Sequence, residues 1–182
     1  MYPVIMKPVM SSALWLSACT LLMASPSLAA LKPGDKAPDF TVTAATNGKV
    51  GTFSLAQALK QGPVIVYFYP KAFTKGCSLQ AQHFSENVDQ FKAKHVSVIG
   101  MSADDISVLT DFSTKDCGGK FPVGSDPKAQ IAKRYDAKMP AVDMSQRVSY
   151  LIGQDGRVLY THDSMNEATH VPGLLEAMKT LK

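Results

Sequence analysis

Residues Val64 to Glu86, VIVYFYPKAFTKGCSLQAQHFSE, constrain this chain more than any other stretch. Val64 to Tyr69 is a continuous run of apolar and β-branched residues, as expected of a short strand buried on both faces. Pro70 and a loop of small and polar residues interrupt it. Beyond them Leu79, Ala81, His83, Phe84, Val88 and Phe91 recur at helical spacing. Cys77 stands where that helix begins. The unsatisfied N–H groups and the dipole of a helix N-terminus favour a thiolate, so strand, loop and helix together make a place for a reactive sulfur.

The rest of the chain can be organised around this unit. Phe40 to Thr43 is read as a strand, Asn47-Gly48 as a turn, and Thr52 to Leu55 as a short extended piece. Ser54 is an N-cap for a helix over Leu55 to Lys60, which Gly62-Pro63 ends. The Cys77 helix runs to about His95, and Val96 to Met101 is a second apolar strand. Asp104 or Asp105 caps a helix reaching Lys115, with Val108, Leu109 and Phe112 on one face. A loop holding Cys117, Gly118 and Gly119 leads to a brief extended piece, Phe121 to Gly124. Asp126-Pro127 opens a helix over Ala129 to Tyr135, and Lys138 to Gln146 is irregular. Arg147 to Ile152 alternates as a strand, Asp155-Gly156 marks a hairpin, and Arg157 to His162 returns. The last helix is His170 to Leu181. Two apolar strands flanked by helices imply parallel pairing with a right-handed crossover, and the hairpin adds antiparallel strands at one edge. The expected class is α/β, a mixed central sheet with helices on both faces.

A length of 182 residues indicates one domain. Residues 1–29 are set apart from it. Lys7 is their only charge, Val9 to Ala24 is apolar and small, and Ser27-Leu28-Ala29 fits a small-x-small cleavage site. The run is shorter than the roughly 20 residues of a membrane span, so a removable signal is expected, with residues 30–182 as an exported, periplasmic domain. Leu16-Ser17-Ala18-Cys19 also resembles a lipoprotein box, which leaves a lipid anchor through Cys19 as the alternative. The net charge of +4 comes without a Lys/Arg run interleaved with aromatics, so no nucleic-acid surface is expected.

Removing residues 1–29 leaves Cys77 and Cys117. Two cysteines in an exported chain are compatible with a structural disulfide. His83, His95, His162 and His170 are scattered and no metal-ligand spacing accompanies the cysteines, so neither metal nor cofactor is expected. Gln80 stands three residues after Cys77, so there is no C-x-x-C pair, which argues against a dithiol oxidoreductase.

Pro70, Thr74 and Cys77, spaced P-x-x-x-T-x-x-C, resemble the active-site motif of the peroxiredoxins, and FYPKAFTKGCSLQA is similar to the bacterioferritin-comigratory, or Q, branch. GDKAPDF, Asp126-Pro127, the Arg147 strand and the Gly156 hairpin follow in that family's order, so the likeness covers residues 31–181. The resemblance implies a thioredoxin fold with an N-terminal extension, and thiol peroxidase activity in which Cys77 becomes a sulfenic acid. It implies catalytic roles for Cys77, Thr74, Arg147 and Pro70, with Tyr69 packed in support. Peroxide is then the substrate and a thioredoxin-like or other dithiol the reductant; branch likeness suggests a monomer. There are two departures. Gln80 stands where the branch has a glutamate that orients the arginine, so it would have to act through neutral hydrogen bonds. Gln82 stands where many members have their resolving cysteine. Others carry it in the next helix, which makes Cys117 the candidate to close an intramolecular disulfide; the alternative is a one-cysteine enzyme with Cys117 a bystander. A thiol–disulfide exchange protein and a non-enzymatic binding module are the competing functions.

The chemistry sets a requirement. Roughly 3% of an ordinary thiol is ionised at neutral pH, and raising that to roughly 90% takes about 3.4 kcal/mol of preferential stabilisation of the anion. A helix N-terminus contributes about 0.3–1 kcal/mol, or ~2 in favourable geometry. A guanidinium at ~4 Å contributes about 4 kcal/mol at an effective dielectric near 20. A cation beside Cys77 is therefore required, and Arg147 is expected to supply it from a strand lying next to the one that ends at Pro70. Thr74 is expected to donate a hydroxyl to the sulfur or the peroxide, or to cap the helix. Pro70 is expected to shield the sulfur.

Overall fold

The computed structural model describes residues 30–181, so the expected signal segment and Cys19 lie outside the described residues. The chain opens with an antiparallel hairpin, β1 (Thr41–Thr46) and β2 (Lys49–Ser54). Its turn is Asn47-Gly48, with φ of 49° and 73°, the pair of positive values that a tight two-residue hairpin turn demands. Ser54 then caps α1 (Leu55–Leu59), its hydroxyl accepting from the Gln57 N–H. β3 (Val64–Phe68), α2 (Lys75–Lys92) and β4 (Ser97–Ser102) form the expected parallel crossover, with Phe68 registered on Met101. After α3 (Ile106–Lys115) comes β5 (Val123–Ser125), which pairs with β4 on one side and with β1 on the other. α4 (Gln130–Arg134), the hairpin β6 (Val148–Ile152) and β7 (Val158–Asp163), and α5 (His170–Ala177) complete the chain. The sheet has seven strands in the order β2-β1-β5-β4-β3-β6-β7.

The period-2 geometry of β3 divides the core. Ile65 and Tyr67 face α2, α3 and α5, in a cluster with Ala81, Phe84, Leu109, Phe112 and Leu174. Val64, Val66 and Phe68 face α1 and α4, packed with Leu55, Ile131, Tyr135, Val148 and Tyr150. Tyr67 stacks on Phe84, midway along α2, ring centroids 4.2 Å apart, which packs the middle of α2 on β3. Parity carries to β6: Val148 and Tyr150 point to the α1/α4 side and Leu151 to the other. Arg147 and Ser149, of the same parity as Leu151, therefore sit on the α2 side.

Four local expectations need correction. Thr52 to Ser54 is not an isolated extended piece but the end of β2, which pairs with β1 along six positions, and Leu55 already opens α1. The helix expected from Ala129 to Tyr135 begins one residue later. Lys128 and Ala129 hold positive φ in a 3₁₀ turn, and the Asp126 carboxylate accepts from the N–H groups of both Ile131 and Ala132 at 2.9 and 2.8 Å. Neither Asp104 nor Asp105 caps α3 through its side chain. Asp105 holds the cap position by backbone alone, and the Asp104 carboxylate turns back to the loop after β3. The final helix ends at Ala177 and tightens into a 3₁₀ turn, Met178–Thr180.

Candidate active site

β3 delivers the chain to the site. Beyond Phe68, the Tyr69 N–H donates to the Met101 carbonyl at 3.0 Å. Tyr69 is fully buried, its ring stacked on Phe112 with centroids 5.5 Å apart. Half-buried Pro70 then ends the strand. The loop is pinned by Asp104, whose carboxylate accepts from the Ala72 N–H at 2.7 Å and from the Ser102 hydroxyl at 2.8 Å. Phe73 holds a φ of 62°, unusual for a bulky residue. It is 47% exposed, its ring edge-on to Phe112 with centroids 5.2 Å apart.

Thr74 occupies the N-cap position of α2 but does not cap through its side chain. Its hydroxyl donates to the Lys71 carbonyl at 2.9 Å, not to Cys77. Cys77 is the third residue of α2, so the N–H groups of Lys75, Gly76 and Cys77 precede the first i→i−4 helical bond, Ser78 N–H to the Thr74 carbonyl. The sulfur is buried, 1% exposed.

Arg147 reaches this sulfur from across the sheet. β6 runs antiparallel beside β3 with Val148 opposite Phe68, which sets Arg147 beside the end of the strand that leads to Pro70. Its Nη2 donates to Cys77 Sγ at 3.4 Å, and its Nη1 donates to the Gln80 side-chain carbonyl, one helical turn beyond Cys77. The guanidinium is nearly as buried as the sulfur, the residue being 5% exposed. The Gly76 position lets it come so close: a Cβ there would sit 3.2 Å from Nη2. Arg147 Nε–H and the Gln80 amide N–H are buried without a hydrogen-bond partner among the described residues.

A second layer holds the Arg147 strand, and nothing local in the sequence announces it. The Ser149 hydroxyl donates to His170 Nδ1 at 2.7 Å, and His170 Nε2–H donates to the Ser164 carbonyl at 2.8 Å. The Ser164 N–H in turn donates to the Arg147 carbonyl at 3.3 Å. Burial pushes the His170 imidazole down to about 4, with His162 and Arg147 adding in the same direction, so it is neutral at physiological pH. The His162 ring packs edge-on against it, centroids 4.5 Å apart.

Cys117 lies just past the end of α3, fully buried in the same core cluster as Cys77, Tyr67, Tyr69, Phe84 and Phe112. Both sulfurs are free thiols. Burial, with Asp116 alongside, pushes the Cys117 thiol well above its ordinary range. The structure thus gathers Cys77, Arg147 and Gln80, sets Thr74 and Pro70 on the adjoining loop, and leaves Cys117 in the core without a bond to Cys77. Among the described residues no group of three His, Cys, Asp or Glu side chains is placed to hold a metal ion, and no helix is long and apolar enough to cross a membrane.

Comparison with known proteins gives concordant results. Residues 33–161 match the model of the AhpC/TSA family. The chain is 31% identical over 156 residues to peroxiredoxin Bcp of Escherichia coli K12, covering 82% of this chain and 96% of that protein. It is 30% identical over 158 residues to the chloroplastic 2-cysteine peroxiredoxin of Chattonella marina var. antiqua, covering 84% of this chain and 80% of that protein. Among solved structures, peroxidoxin BcpB from Mycobacterium tuberculosis superposes with a TM-score of 0.76 at 25% identity, covering 84% of this chain and 99% of that one.

Proposed function

Because the chain belongs to the AhpC/TSA family and is a peroxiredoxin, a thiol peroxidase, we propose that Cys77 is its peroxide-reducing sulfur, that Arg147 keeps it anionic, and that Cys117 resolves the product. The Cys77 thiolate attacks one peroxide oxygen. The S–O bond forms as the O–O bond breaks, and the departing oxygen takes a proton to leave as water or an alcohol. Cys117 then attacks the sulfenic acid, forming an intramolecular disulfide and releasing water, and a thioredoxin-like or other dithiol reduces it.

The observation that carries this reading is the 3.4 Å contact between Arg147 Nη2 and Cys77 Sγ. At that distance and an effective dielectric near 20, the attraction is about 5 kcal/mol before the desolvation of both groups is subtracted. Gln80 aims the guanidinium through a neutral amide, and among the described residues no carboxylate forms a salt bridge with it. The N–H groups opening α2, with the unpaired Arg147 Nε–H and Gln80 amide, supply donors for the oxygen that leaves with the charge. Thr74, one turn before Cys77, supplies a hydroxyl at the mouth once it turns from Lys71. Pro70, with no N–H of its own, shields the site from water.

The test is peroxide consumption by wild type and Cys77→Ser, with free thiols counted after one equivalent of peroxide. Loss of activity in Cys77→Ser and no free thiol in an oxidised monomer support the full cycle. One remaining thiol supports instead the one-cysteine reading that the deep burial of Cys117 favours. The composition of residues 1–29 supports export to a periplasm, and the mass of the mature chain tests cleavage after Ala29 against acylation at Cys19.

A further inference from the structure

The resolving step proposed above forms an S–S bond between Cys77 and Cys117 while the sulfenic oxygen leaves with the Cys117 proton as water. Cys117 has to leave its place to do so. Its thiol is fully buried among aromatic rings, where it is neutral and closed to water. What holds its segment in place is therefore what the second step has to overcome.

Two side-chain bonds bracket the cysteine, and both end on α2, the helix that carries Cys77. On one side, Gln82 Nε2 donates to Asp116 Oδ1 at 3.3 Å. On the other, Lys120 Nζ donates to the Ser85 main-chain carbonyl at 2.9 Å. The hairpin turn closes the third side: the Gly48 N–H donates to Ser113 Oγ at 2.9 Å, and Asn47 lies so near Gly119 that a Cβ there would come 2.6 Å from Asn47 Oδ1. Gly118 and Gly119, at φ of 59° and 70°, hinge the segment between its fastenings. Gln82 and Lys120 are exposed, and among the described residues neither hydrogen-bonds to Cys77, Thr74 or Arg147.

Resting on the assignment of Cys117 as the resolving thiol, we infer that Lys120 and Gln82 are positioning residues for the disulfide step: they latch the Cys117 segment onto α2. The strength of this latch sets how the sulfenic acid is divided between two fates. One is the disulfide. The other is reaction with a second peroxide, in which the sulfenic sulfur takes one more oxygen to become a sulfinic acid while the peroxide leaves as water or an alcohol. A looser latch favours the disulfide.

The experiment mixes reduced protein with one equivalent and with excess hydrogen peroxide, quenches at intervals, and reads sulfenic acid, disulfide and sulfinic acid by mass spectrometry. Lys120→Met is expected to form the disulfide about threefold to tenfold faster, the factor one hydrogen bond controls. It should leave sulfenic acid formation unchanged and yield less sulfinic acid in excess peroxide. Gln82→Ala should accelerate the disulfide about twofold, and Lys120→Arg, which keeps the donor, should restore the wild-type rate. An unchanged or slower disulfide rate in both Lys120→Met and Gln82→Ala overturns the latch while leaving Cys117 as resolving cysteine. No disulfide in the wild type overturns both, and is recognised by the thiol that stays free.

Discussion

Gly76→Ala separates catalysis from stability, because the two should move in opposite directions. The added Cβ would lie 3.2 Å from Arg147 Nη2, closer than ordinary contact, and the guanidinium would have to give way. Its Nη1 is held by Gln80, so the displacement falls on the Nη2 end that faces Cys77. Moving Nη2 from 3.4 Å to about 3.9 Å lowers the attraction to the thiolate by about 0.6 kcal/mol at an effective dielectric near 20. That alone is nearly threefold, and weakening the charge-assisted hydrogen bond brings the loss to about tenfold. The same substitution improves the first turn of α2, since alanine is favoured over glycine in a helix by up to about 1 kcal/mol. The assay pairs the second-order rate constant for hydrogen peroxide with the urea midpoint. A threefold to tenfold slower enzyme with an unchanged or higher midpoint is expected. A variant as fast as wild type would refute the idea that the approach of the guanidinium to the sulfur limits the rate.

Two further outcomes follow from the surroundings of the site. The imidazole of His170 is held down to about 4 by burial, so between roughly pH 6.5 and pH 4 the unfolded chain binds a proton there that the folded chain does not. Its contribution to stability is fully present above the unfolded value, is lost as the pH falls through that window, and amounts to roughly 3 kcal/mol; denaturation curves of wild type should show this slope and those of His170→Asn should be flatter. Asp104→Ala frees the Ala72 N–H and the Ser102 hydroxyl, slackening the loop between β3 and α2. It should cost about 1–3 kcal/mol in stability and slow peroxide reduction, with faster amide exchange at Ala72.

Where burial is decided by local pattern, the sequence anticipated the structure. The apolar run Val64 to Tyr69, the helical spacing after Cys77 and the Asp155-Gly156 turn each specify their element without help from elsewhere. β2 was missed as a partner of β1 because Lys49 to Gly51 is exposed and Val50 breaks the alternation expected of a half-buried strand; its pairing comes from the Asn47-Gly48 turn. The residues around Cys77 divide in the same way. Cys77 was singled out by its place at the start of a helix, Thr74 and Pro70 by the family motif they share with it, and Arg147 by electrostatic need and family likeness. Its approach depends on β6 lying antiparallel to β3, a pairing over about eighty residues of separation. Asp104, Ser149 and His170 were not identified as part of the site because each reads locally as something ordinary: a cap, a strand hydroxyl, the first residue of a helix. Thr74 was expected on the sulfur or in the cap, but the carbonyl of Lys71 three residues back claims its hydroxyl.

The central claim is that one guanidinium keeps one sulfur ionised. It is tested most directly by the ultraviolet absorbance of the thiolate at neutral pH, recorded for wild type and Arg147→Met, with Cys77→Ser subtracted as blank. Wild type should show close to one thiolate per chain, and Arg147→Met should retain only a small fraction of it. Equal absorbance in the two proteins would mean that the charge on Cys77 is held by something other than Arg147.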